Sequence, residues 1–396
     1  MVRHFCFLGK CPKIMQLRIM RFFFKTSITL PQSYQNQFNE KLERLITLLA
    51  PYCAPIPNTY QSQATHYRQR VEFRIWHEVD KAQYAMYKPG TKELYCLDNL
   101  PAAAEPINQL MPRLLDRLNG TPELKNRLFS IEFLSTLSGQ MLVTLIYHRP
   151  LEEAWNLVGE ELQNEFGIQV IGRSRKQKVC LTSDFVTEQL HIDNKKYQFQ
   201  QIEGSFTQPN AQINQEMINW VLTQVGQQEA DLLELYCGNG NFTIPLSRRF
   251  NQVLATEISK SSIRALNWNM EANAVANLQC ARLAAEEISE ALKKVRPFRR
   301  LAEIDIDGYN FSHILVDPPR AGLDSKTAAF AQEFEYIVYI SCNPDTLANN
   351  LQQLCNTHEV VATALFDQFP FTPHMESGVY LRKKSPLISA AALRVS

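Results

Sequence analysis

With 396 residues, 45% of them hydrophobic and 20% charged, the chain can bury a sizeable core, and its length predicts two domains. A formal net charge of +1 excludes a bulk basic excess for holding polyanions, and no run approaches the ~20 apolar residues of a membrane-spanning helix. Nine cysteines, at 6, 11, 53, 96, 180, 237, 280, 342 and 355, form no CxxC pair, which argues against a zinc or iron–sulfur site and fits reduced thiols in a cytoplasm.

The first 30 residues hold Arg3, Lys10, Lys13, Arg18, Arg21 and Lys25 and no acid before Glu40. Their cations interrupt every apolar run, which disfavours a secretory signal, and a transit peptide would be richer in serine. A disordered extension is expected, or an over-called start with Met15 or Met20 as the true one. From about Leu30 to Ala54 a helical period places Phe38, Leu42, Leu45, Ile46 and Leu49 on one face, ended by Pro51. HYRQRVEFRIWHE then alternates, with Val71, Phe73 and Ile75 opposite Arg70, Glu72 and Arg74. A hairpin is expected around Pro89-Gly90, and a second strand pair at Phe129–Leu134 and Met141–Tyr147. LEEAWNLVGEELQNEFG reads as a helix capped by Gly167. This mixture predicts an α+β domain over residues 31–204.

Beyond it, DLLELYCGNGNF, NQVLATEI, SHILVDPPR and YIVYISCNP are short buried strands separated by helical stretches, notably Ser259–Val275 and Asp345–Leu354. That rhythm predicts an α/β domain with a doubly wound, mostly parallel sheet over residues 205–384, followed by a tail at 385–396. Ligands of such sheets bind at the carboxyl ends of the strands. There the sequence places Tyr236 with the turn Cys237-Gly238-Asn239-Gly240-Asn241, then Glu257, Asp317 and Cys342. The turn lacks the third glycine of a dinucleotide fingerprint, but Glu257 can accept both hydroxyls of a ribose, so a nucleoside cofactor is indicated, S-adenosylmethionine or NAD. Pro318 and Pro319 stiffen the exit that carries Asp317 and Arg320. Cys342 can be simple packing; it also precedes a helix opened by Pro344, whose positive end favours a thiolate nucleophile, with Glu376 as partner base or as a mere loop acid.

The stretches SFTQPN, LLELYCGNGNF, ATEI, VDPPRAGLD, YISCNP, LFDQFPF and HMESG resemble those of the tRNA (uracil-5-)-methyltransferase family. The likeness extends into the first half through YRQRVEFRIWH, LPAAAEPINQLM and residues 170–176. It implies a Rossmann-like S-adenosylmethionine-dependent methyltransferase domain preceded by an RNA-binding α+β domain. It implies contacts to S-adenosylmethionine from Gln208, Tyr236, Gly238, Asn241, Glu257 and Asp317, Cys342 as nucleophile, Glu376 as proton acceptor and Arg320 at the uracil. Ala321 and Ser377 depart from the family's usual serine and occasional cysteine without replacing a reacting group. The implied product is 5-methyluridine in the T-loop of tRNA, and in tmRNA as well, made by a cytoplasmic monomer without metal or cluster. Arg68, Arg70, Arg74 and Arg173, with Arg175, Lys176 and Lys178, are the expected phosphate partners, and Tyr67 and Trp76 the stacking platforms. A ribosomal-RNA uracil methyltransferase is the nearest rival, disfavoured by the cysteine spacing and the lack of spare length. A dehydrogenase would leave Cys342 and Glu376 without a purpose.

Overall fold

The computed structural model describes residues 32–385 except Asp80 and Pro89; the expected N-terminal extension, most of the C-terminal tail and the first residue of the Pro89-Gly90 turn lie outside the described residues. The chain opens with α1 (Gln32–Leu49) and β1 (Asn58–Tyr60). A mixed region follows: β2 (Arg70–Glu78), β3 (Lys81–Tyr87), β4 (Leu94–Cys96), α2 (Glu105–Asn119), α3 (Pro122–Lys125), β5 (Leu128–Ser135), β6 (Met141–Tyr147), α4 (Glu153–Phe166), β7 (Gln169–Ser174) and β8 (Gln177–Cys180). These strands form a seven-stranded sheet in the order β4-β3-β2-β5-β6-β7-β8. It is antiparallel except where α4 carries the chain from β6 to a parallel β7. The expected alternation is present: Val71, Phe73 and Ile75 are buried against α2 with Ile107, Met111 and Phe133, while Glu72 is exposed. Gly167 closes α4 in the left-handed region at φ 64°, the cap its sequence predicts.

The rest begins with the hairpin β9 (Phe185–Ile192) and β10 (Lys195–Ile202), then α5 (Ala211–Val225) and β11 (Asp231–Leu235). The short α6 (Thr243–Leu246) leads to β12 (Val253–Thr256), α7 (Lys260–Ala272), β13 (Leu278–Ala281) and α8 (Ala285–Leu292). The chain ends in β14 (Phe311–Val316), α9 (Ser325–Ala331), β15 (Tyr336–Ser341), α10 (Pro344–Leu354), β16 (His358–Phe366) and β17 (Glu376–Lys383). An eight-stranded sheet results, in the order β1-β16-β17-β15-β14-β11-β12-β13. Successive residues of its central strands go to opposite faces: Leu233, Ile314 and Ile337 pack under α1, α8, α9 and α10, whereas Leu232, Leu315 and Val338 pack under α5, α7 and the β9–β10 hairpin. Burial on both faces is why these strands read as unbroken apolar runs.

Two features differ from the sequence expectation. Residues 32–60, grouped there with the first domain, belong physically to the large sheet: β1 pairs in parallel with β16, Asn58 opposite Ala364, and Phe38, Leu45 and Leu49 of α1 are buried in its core. Leu42 is only partly buried and Ile46 is exposed, so the apolar stripe of α1 is narrower than its sequence suggests; buried Lys41 completes it. Second, β17 runs antiparallel to both its neighbours, β15 and β16, in an otherwise mostly parallel sheet. That reversal carries the start of β17 to the edge where the other strands end.

Candidate active site

Along this carboxyl edge the strands deliver their terminal residues into one cavity of about 650 Å³, a volume that suits a cofactor with room for a reacting group. The glycine turn is its floor. Tyr236 leaves β11 at φ 60°, and Gly240 sits at φ 84°, where a Cβ would lie 2.3 Å from Leu266, so both close approach and backbone demand glycine. The turn is locked to the next strand, because the Glu257 carboxylate accepts from the backbone N–H of Gly238 at 3.0 Å, Ile258 at 2.7 Å and Ser259 at 2.8 Å. Asn241 exchanges two hydrogen bonds with Asn214 of α5, at 2.7 and 2.8 Å. Gln208 accepts from Gln368 of the loop after β16. Asn214 and Gln368 escape a reading by motif, although the second lies inside the quoted LFDQFPF; their signal is a polar residue where a core residue is due.

The reacting end of the cavity holds Asp317, Arg320, Cys342 and Glu376. Glu376 was expected in a loop before the last strand; it is instead the first residue of β17, 5% exposed, opposite Phe366, with Ser377 opposite Ser341. Since Ser341 precedes Cys342, the reversed strand sets the acid beside the thiol. Asn343 caps α10, its side chain accepting from the Asp345 N–H at 3.2 Å, so Cys342 stands just outside the helix start. Burial, then Glu376 and Asp317, push the Cys342 thiol up to about 11 against the opposing pull of Arg320, in the direction opposite to the influence expected from the helix end. Burial likewise pushes Asp317, which faces only the cavity, up to about 7, and drives Glu376 well above the carboxylate range, with Asp317 adding to the effect. Glu234, wholly buried under the turn, is pushed by burial up to about 8, and its Oε2 has no partner within the protein, nor has Oγ1 of Thr207. A cavity lined by acids held short of ionisation, with orphaned oxygens, fits a ligand that brings positive charge and hydrogen-bond donors.

Arg68, Arg70, Arg74 and Arg173, in and beside the smaller sheet, each have a partner within the fold. Arg70 is paired with Glu132 at 2.8 Å and Arg173 with Glu203 through two bonds of 2.6 Å, so both are engaged within the fold. Arg74 lies 3.6 Å over the Phe129 ring. Tyr67 is buried, donating to the Pro370 carbonyl, while Trp76 is 48% exposed. Arg68 donates to the Arg70 carbonyl at 2.9 Å, and its guanidinium lies 6.0 Å over Phe369, in the loop between β16 and β17. Among the described residues there is no cluster of acids, histidines or cysteines able to hold a metal, and no helix long and apolar enough to cross a membrane.

A glycine turn after the first strand, a locked carboxylate after the second and an acid-lined cavity at the strand ends define the class, an α/β methyltransferase fold that uses S-adenosylmethionine. The same fold is found in the tRNA (uracil-54, C5)-methyltransferase of Pyrococcus abyssi, solved with S-adenosyl-L-homocysteine, at a TM-score of 0.66 and 19% identity over 88% of this chain and 83% of that one. The chain belongs to the tRNA (uracil-5-)-methyltransferase family, whose model matches residues 33–384. It is 50% identical over 355 residues to the tRNA/tmRNA (uracil-C(5))-methyltransferase of Pseudomonas entomophila, covering 89% of this chain and 98% of that protein. The relative of the same description in Pseudomonas aeruginosa PAO1 is 50% identical over 357 residues, with the same coverage.

Proposed function

We propose that this chain methylates carbon 5 of the T-loop uridine of tRNA, and of the corresponding uridine of tmRNA, using S-adenosylmethionine. The observation that carries this reading is the reversed strand β17, which sets the buried acid Glu376 beside Cys342 at the mouth of a nucleoside-sized cavity. Bound S-adenosylmethionine supplies an electrophilic methyl group on a sulfonium. Gln208, Tyr236, Gly238, Asn241, Glu257 and Asp317 are the residues to hold it: Glu257 for a ribose diol, the acids for positive charge.

Carbon 5 of uracil is a weak nucleophile because its electrons are drawn toward the ring carbonyls. Cys342, once its thiol proton has gone to solvent, adds to carbon 6 as a thiolate, forming a sulfur–carbon bond and moving the ring electrons onto carbon 5 as an enolate that can accept a methyl group. Glu376, in its ionised form, then takes the carbon-5 proton, and the returning electron pair expels the Cys342 thiolate. Arg320, a cation acting on both groups, favours the ionised form of each.

The seven-stranded sheet, with Trp76 exposed and Arg68 half-buried just before its β2, is the RNA-holding part, and the target base must be turned out of its stack to reach the sulfur, at a few kcal/mol. A monomer suffices, since one chain provides every named group, and the cytoplasm is where such an RNA is met. Incubation with methyl-labelled S-adenosylmethionine and undermodified tRNA, followed by mapping of the label, tests the reading: label at the T-loop uridine is expected, and label only in ribosomal RNA would overturn it.

A further inference from the structure

Arg320 does not reach its place unaided. Its backbone carbonyl accepts from Asn343 at 3.2 Å and from Thr346 at 3.3 Å, which pins its main chain to the start of α10. The guanidinium is exposed and carries no carboxylate partner among the described ion pairs; one of its nitrogens donates to Nδ1 of His374 at 2.7 Å. His374 is in turn fixed by its own loop. Its backbone N–H donates to Thr372, its ring meets Phe369 edge-on at 6.0 Å, and Lys41 of α1 donates to the Phe369 carbonyl at 2.9 Å while paired with buried Asp367 at 2.7 Å.

We propose that His374 is a positioning residue, a neutral anchor that fixes Arg320 beside Cys342 without cancelling its charge. This rests on Cys342 being the nucleophile of the proposed reaction. A carboxylate in the same place would hold the guanidinium more firmly, since charge-assisted bonds to arginine are the stronger kind. It would also neutralise the one cation that opposes Asp317 and Glu376 at the sulfur, and would defeat the purpose of holding it. Imidazole solves both problems while Nδ1 is unprotonated. The charged groups facing it favour that state: Arg320 from the loop after β14 and Lys41 from α1 are both cations, and partial burial acts the same way. Asp367, the nearest acid on its own loop, is already bound to Lys41 and Tyr34. An unanchored arginine would spread over its rotamers, and its effect on the thiol would fall with its mean distance.

The test follows alkylation of Cys342 by iodoacetamide against pH in the full chain, read on the Cys342 peptide by mass spectrometry, with S-adenosyl-L-homocysteine binding as the check on folding. Arg320→Ala should raise the midpoint by about half a pH unit or more, and His374→Ala by a comparable amount. His374→Asn, which offers an uncharged acceptor near the same spot, should stay close to the wild type, whereas His374→Asp should raise the midpoint although it retains Arg320. A His374→Ala profile that superimposes on the wild type overturns the proposal, as does His374→Asp behaving like His374→Asn. Imidazole nitrogen shifts of the unmodified protein give a reading that needs no variant: Nε2 must carry the proton, and a proton on Nδ1 overturns the anchor. Alkylation needs neither RNA nor methyl transfer, so methylation by Cys342→Ala would refute the reaction, while an unmoved alkylation profile would refute only the role of His374.

Discussion

The two ends of the eight-stranded sheet both bury ionisable groups, and they do so to opposite effect. Toward the amino ends of β14 and β15, His313 is wholly buried; one ring nitrogen meets Ser312 at 2.7 Å and the other Tyr380 at 3.0 Å, and the ring stacks 4.5 Å from Tyr336. Burial pulls its pKa down to about 4, and both ring nitrogens have a partner. At the carboxyl end Glu234, Asp317, Cys342 and Glu376 are perturbed as well, but they line a cavity and Oε2 of Glu234 has no partner. A shifted pKa therefore marks burial at either end; it marks chemistry only where the perturbed groups face a space that a ligand can enter.

Substitutions at the two ends should separate those meanings. Cys342→Ala should abolish methyl transfer, read with labelled cofactor, while leaving S-adenosyl-L-homocysteine affinity within about twofold, because a nucleophile cannot be replaced by binding. Glu376→Gln should slow turnover by roughly 10²–10⁴-fold, and denaturing gels should show protein bound covalently to methylated RNA, since addition at carbon 6 can proceed but proton removal cannot. His313→Phe should leave kcat unchanged and cost about 1–3 kcal/mol in denaturant unfolding, because Tyr380 loses a buried partner. Arg68→Ala should weaken tRNA binding severalfold and lower the salt slope by about 1 in a filter-binding series, while Arg70→Ala should chiefly lower stability, its charge being spent on Glu132.

The smallest effect concerns stability against pH, where the two ends act on opposite flanks. The carboxyls of Glu188 and Asp317, at about 7, and Glu234, at about 8, keep in the folded state a proton that the unfolded chain releases near 4. Their contribution is full at acid pH and is lost as pH rises through 7 to 8. His313 has its folded pKa below the ordinary 6.5, so its contribution is present above 6.5 and is lost as pH falls toward 4. Thermal midpoints should therefore decline on both sides of a maximum, and Glu234→Gln should make the decline between pH 5 and 8 shallower while leaving the acid side alone.

Much of the catalytic edge was legible in the sequence because its information is local. The apolar runs before Cys237, Asp317 and Cys342, the two glycines and the proline-stiffened exit each specify strand, turn or rigidity within a few residues. What was hidden depends on partners far along the chain. Nothing near Asn58 announces that it pairs with Ala364, and the direction of β17, on which the place of Glu376 depends, is a property of the assembled sheet. Arg70 and Arg173 illustrate the same limit: alternation set Arg70 opposite the buried Val71 and Phe73, but the acids that pair with the two arginines, Glu132 and Glu203, stand 62 and 30 residues away. The helix start after Cys342 was legible locally, since Asn343 and Pro344 specify it within two residues; the burial that pushes the thiol up was not, because it comes from elements far along the chain.

The insertion of β17 between two strands that precede it in the chain has a consequence for biogenesis. During translation β15 and β16 leave the ribosome first and must wait with open edges until the last strand arrives to separate them. Until then the nascent protein carries Cys342 but lacks the strand that joins β15 to β16 and brings Glu376 to the same edge. A product truncated shortly before Glu376 would keep both edges unpaired and is expected to aggregate.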